Sequence, residues 1–105
     1  MVLHQQLAQG GWQKLTFNRQ LGNIGAEITR ARVWQEKGNL TNCQKSLERA
    51  WELINLTLSQ NLSSSRFKEI SRFKEVVAGL ILQKENYQVS FKDLENFCLS
   101  FAFLV

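Results

Sequence analysis

The chain has 105 residues, 44% of them hydrophobic and 21% charged, with a net charge of +4. That is the length of one domain and the composition of an ordinary globular protein with a modest core. No apolar run approaches the ~20 residues of a membrane span. Met1 to Gln13 also lacks the basic start and long apolar core of a secretory signal, so we expect a cytoplasmic chain with no membrane partner.

Proline is absent. A proline in a helix interior costs about 3 kcal/mol, so its absence favours helices joined by short polar turns. Met1 to Gln9 has Leu3 and Leu7 on one side, and Gly10-Gly11 then interrupts any helix. Residues 1–15 read as a loosely held arm with Trp12 as its anchor, and 16–105 as a single helical domain.

The spacing of Phe17, Leu21, Ile24, Ile28, Ala31 and Trp34 predicts a first helix from about Thr16 to Lys37, with Thr16 as N-cap. Gly22, Gly25 and Ala26 weaken its middle, which calls for the close approach of a neighbouring backbone. Gly38 is placed as a left-handed C-terminal cap. A second helix follows from about Thr41 to Ser59, where Thr41 and Gln44 form a capping box. Leu40, Cys43, Leu47, Ala50 or Trp51, Ile54 and Leu58 define its stripe.

A short polar loop leads to a third helix, about Ser65 to Lys84, with Phe67, Ile70, Phe73, Val76, Val77, Leu80 and Ile81 on its apolar side. Asn86 can cap its end. A fourth helix opens at Ser90, paired with Asp93 in a variant capping box, and carries Phe91, Leu94, Phe97, Cys98 and Phe101. The expected fold is all-α: an up-and-down four-helix bundle of two antiparallel hairpins with a short N-terminal arm. Arg66-Phe67-Lys68-Glu69 is echoed by Arg72-Phe73-Lys74-Glu75. Six residues leave the copies ~120° apart around a helix, so the echo is compositional.

Within the first hairpin, Ala31, Trp34, Gly38-Asn39-Leu40, Cys43 and Ala50-Trp51-Glu52-Leu53 follow the order of small, aromatic and turn residues found in one tetratricopeptide repeat. The stretch Ala31 to Leu53 resembles a single unit of that family, over about a fifth of the chain. The family would imply a peptide- or protein-binding scaffold. Glu27 replaces the large early aromatic and Asn55 stands near the place of the terminal proline. What carries over is the geometry of a helical hairpin, since a repeat array needs about three units.

No catalytic, cofactor-binding or metal-binding set is legible. His4 is the sole histidine, and with Cys43 and Cys98 it does not make the four close donors of a tetrahedral site. The cysteines sit on apolar stripes and read as buried, reduced thiols. Asn39, Asn55 and Asn61 begin Asn-Leu-Ser/Thr triplets that read as cap and loop chemistry rather than glycan acceptors.

Three surface patterns remain. Glu27, Arg30, Glu48, Arg49, Glu52 and Arg72 flank the apolar stripes and can form a semi-buried ion network that fixes helix register. Arg66, Lys68, Arg72 and Lys74 concentrate positive charge at the start of the third helix, as RNA or DNA contacts or as a solvated face. Phe97, Phe101, Phe103, Leu104 and Val105 make an unusually apolar end. They either plug the bundle or form a homo-oligomer interface through the fourth helix and the aromatic side of the first. The sequence favours a non-catalytic interaction or accessory module that self-associates, with a nucleic-acid-binding bundle as the alternative.

Overall fold

A computed structural model describes residues 11–82 and 87–102, with side chains for 11–82 and 91–101. Four helices make up the described fold: α1 (Phe17–Glu36), α2 (Leu40–Leu58), α3 (Ser64–Ile81) and α4 (Tyr87–Ala102). A short 3-10 turn, Trp12–Lys14, precedes them. The result is an all-α four-helix bundle in which α1 packs against both α2 and α4, and α2 against α3. No described helix is long and apolar enough to cross a membrane. The expected Met1–Gly10 part of the arm, the Asn86 cap and the apolar tail Phe103 to Val105 lie outside the described residues.

Local chemistry explains where the helices begin and end. Thr16 Oγ1 accepts a hydrogen bond from the Arg19 amide at 3.2 Å, as a first-helix N-cap should. At the other end Gly38 takes φ +77°. Its amide donates to Gln35 O at 3.0 Å, and the Asn39 amide donates to Trp34 O at 2.9 Å, the paired bonds of a Schellman motif.

Three boundaries differ from the sequence reading. The α2 cap is Asn39, whose side-chain oxygen accepts from the Asn42 amide at 3.0 Å, in place of Thr41. Asn39 stands directly after the left-handed glycine, where the chain leaves helical geometry, so it reaches the first free amides before Thr41 can. Gln44 instead donates from Nε2 to Ile81 O at 2.9 Å, tying the start of α2 to the end of α3. Ser63 caps α3 through the Arg66 amide at 3.2 Å. The fourth helix starts at Tyr87, so Ser90 lies inside its first turn rather than capping it.

The core is the set of stripes on the facing sides of these helices. Leu21, Ile24, Ile28 and Ala31 of α1 meet Cys43, Leu47, Ala50, Leu53 and Ile54 of α2, Ile70, Phe73, Val77 and Leu80 of α3, and Phe91, Leu94 and Cys98 of α4. Leu40 and Phe67 were expected on apolar stripes but are 56% and 50% exposed. Leu40 is the first residue of α2, beyond the overlap with its neighbours, and Phe67 lies about 100° round α3 from the middle of the buried stripe.

Trp12 anchors the N-terminal segment more tightly than a loose arm implies. It is fully buried. Its indole N–H donates to Thr57 Oγ1 at 2.9 Å. Gln20 Nε2 donates to Trp12 O at 2.8 Å and to Gln60 Oε1 at 2.6 Å, while Gln60 Nε2 returns a bond to Gln20 Oε1 at 2.9 Å. The polar atoms that this tryptophan carries inside are thereby satisfied.

The small residues of α1 meet α4. A Cβ added at Gly25 would lie 2.8 Å from Cys98 Cβ, too close for two carbon atoms. The second atom is fixed to the α4 backbone, so the helix itself would have to move. Gly25→Ala should therefore lower Tm in a circular-dichroism melt. Overpacking costs about 1–3 kcal/mol, against the about 1 kcal/mol that alanine adds to helix propensity. Cys98→Ala should not rescue it, because alanine keeps the clashing Cβ.

Candidate interaction surface

Two contacts draw α4 onto α1. Glu95 Oε1 pairs with Arg32 Nε at 2.6 Å, and Glu95 Oε2 accepts from the Thr29 hydroxyl at 2.8 Å. Cys98 seats against Gly25 one turn further on. The hydrogen bond to Glu95 is the main reason the Arg32 guanidinium holds its proton above the ordinary arginine range. Arg32 also reaches Glu36 at 2.8 Å.

Held against α1, α4 meets α3 at few points. Phe73 and Phe97 make one, an edge-on ring contact at 5.2 Å. Beside it the two helices stand apart around an open groove of about 810 Å³. Phe73, Val76, Leu94 and Phe97 supply its apolar floor. Lys68, Glu69, Arg72, Glu75 and Asp93 stand along its rim. Along α3 it runs from Ser65 to Gly79, about 21 Å at 1.5 Å per residue. A trough of that length suits a helix of about four turns.

The four basic residues of α3 do not share a face. Arg66 lies over the Phe17 ring of α1 at 4.4 Å and Lys74 over the Trp51 ring of α2 at 4.9 Å. Lys68 and Arg72 are on the groove rim. The structure brings three of the six candidate network residues together: Glu27 Oε1 lies 3.2 Å from Arg30 and 3.3 Å from Arg49. Glu27 is buried. Glu48, Glu52 and Arg72 enter no ion pair among the described residues. The pairing between α1 and α4 through Glu95 was missed in the sequence, because an acid and a base 63 residues apart carry no spacing signal.

Of the apolar end, Phe97 and Phe101 turn inward. Phe101 packs edge-on against both Phe17 and Phe97 at 5.3 Å. A ladder of rings thus runs from Phe17 on α1 through Phe101 and Phe97 to Phe73 on α3.

Among the described residues no three His, Cys, Asp or Glu side chains gather as a metal site requires. Both cysteines are free and buried. Burial pushes both thiols upward, Cys98 to about 12 with a further contribution from the nearby Glu95 charge. Comparison with protein-family models, curated proteins and solved structures returns no match.

The Cys98 shift fixes a pH dependence. Below the ordinary thiol value of 9.0, folded and unfolded chains both hold the proton. Between there and about 12 only the folded chain holds it, so unfolding releases a proton and stability falls as pH rises. Urea unfolding of the wild-type protein should show this decline above pH 9.0, and Cys98→Ala should show a shallower one.

Proposed function

We propose that this protein is a non-catalytic interaction module that works by self-association. The observation that carries this reading is the α3–α4 seam, which is open among the described residues. A groove with Phe73, Val76, Leu94 and Phe97 on its floor opens between α3 and α4, the neighbouring helix pair that meets at the fewest points. An apolar floor inside a charged rim is an arrangement that can seat a second chain, since interfaces combine an apolar centre with a polar rim. The rim carries both signs of charge, as a surface that must meet its own copy requires.

Of the apolar end, Phe97 forms part of the groove floor, whereas Phe101 packs against Phe17 and Phe97. The nucleic-acid alternative has less support, since Arg66 and Lys74 lie on aromatic rings away from Lys68 and Arg72. Phosphate binding draws its strength from several cations acting together.

Light scattering across the micromolar range should give twice the 12.1 kDa mass of one chain. Val76→Glu, which puts a charge on the groove floor, should return the mass to that of one chain with an unchanged helical spectrum. A wild-type protein that stays monomeric overturns the reading. A labelled oligonucleotide at low ionic strength should show no saturable rise in anisotropy. Saturable binding that salt abolishes would replace self-association with the nucleic-acid reading.

A further inference from the structure

The charges beside the groove are arranged in a way that an ordinary solvated helix face does not need. Lys68 and Glu75 are seven residues apart on α3. That separation is within about 20° of two full turns, so they share a face about 10.5 Å apart along the axis. Ser71 lies between them along the chain, about 40–60° round the helix from either. Arg72 and Glu69 form a second opposite pair. None of Lys68, Glu69, Arg72 or Glu75 enters an ion pair among the described residues.

A two-fold axis perpendicular to α3, passing between Ser71 and Arg72, reverses the order of these charges. Lys68 then stands opposite Glu75 of a second copy, and Glu75 opposite Lys68 of that copy. Arg72 lies beside the axis, within about 3 Å along it of the level of Glu69 from the second copy. The pattern complements itself in the antiparallel sense. In a parallel pairing Lys68 would face Lys68 and Glu75 would face Glu75.

We propose that α3 of a second copy fills the groove, antiparallel to the first α3 across this axis, with Lys68 and Glu75 setting the register in two symmetric ion pairs. Each α3 is then lodged between the other copy's α3 and α4. The seam that is open among the described residues is closed twice by a single operation. The proposal rests on the self-association reading and adds to it the direction, register and specificity of the contact.

Charge reversal tests the register, and Lys68 is an exposed residue on the solvent side of the helix, as is Glu75. Lys68→Glu alone and Glu75→Lys alone each put like charges at both symmetric contacts. Each should weaken the dimer by at least about tenfold in sedimentation equilibrium, with the circular-dichroism melt unchanged. The double variant Lys68→Glu/Glu75→Lys should dimerise like the wild-type protein, because both pairs are restored with their signs exchanged. An equimolar mixture of the two single variants should form a heterodimer, detectable by native mass spectrometry, at the wild-type affinity. A wild-type dimer that both single variants leave unaltered would overturn the antiparallel pairing while self-association stands. A wild-type monomer at every concentration would overturn both.

Discussion

The approach of α4 to α1 at Gly25 is the constraint on which the rest of the structure depends. With no side chain at Gly25, Cys98 comes within contact of the α1 backbone. Glu95, one turn earlier, is held by Thr29 and Arg32 from the same helix. These contacts place α4 on α1, and α4 meets α3 at few points. The close α1–α4 pair thus rests on one missing methyl group and one carboxylate. The glycine lowers the propensity of α1 by about 1 kcal/mol, which the packing it permits offsets.

At the opposite flank the bundle is tied by polar groups. The Trp12 ring brings apolar area into the core together with an N–H and a carbonyl that need partners. Thr57 and Gln20 provide them, and the reciprocal amide pair of Gln20 and Gln60 fastens α1 to the turn after α2. The ring ladder from Phe17 to Phe73 closes the space beneath. Buried polar atoms are expensive when unpaired, so this cluster favours one arrangement of the N-terminal segment over its alternatives.

The groove gives meaning to charges that otherwise seem evenly mixed. A net charge of +4 directs attention to the cations of α3. Two of those cations cover aromatic rings of α1 and α2, and two border the groove together with acids. A phosphate backbone asks for one sign of charge, whereas a second copy of the same surface asks for both. The proposed association follows from that difference.

Helix number, most helix ends and most of the core were legible in the sequence because they depend on local periods. Leu21, Ile24 and Ile28 repeat at helical spacing, Thr16 offers a hydroxyl at the right distance from a free amide, and Gly38 alone tolerates the left-handed turn. The need for a close neighbour at Gly22 to Ala26 could also be read. Tertiary structure alone decided which helix that neighbour is, that Glu95 answers Arg32, that Gln20 meets Gln60 and Trp12, and that Lys68 and Arg72 part company with Arg66 and Lys74. The reason is physical. Local spacing specifies which side chains share a helix face, but the partner of a face is selected by packing and by the pairing of buried polar groups across distant segments. The α3–α4 groove is a product of that selection, and so it exists only in the folded chain.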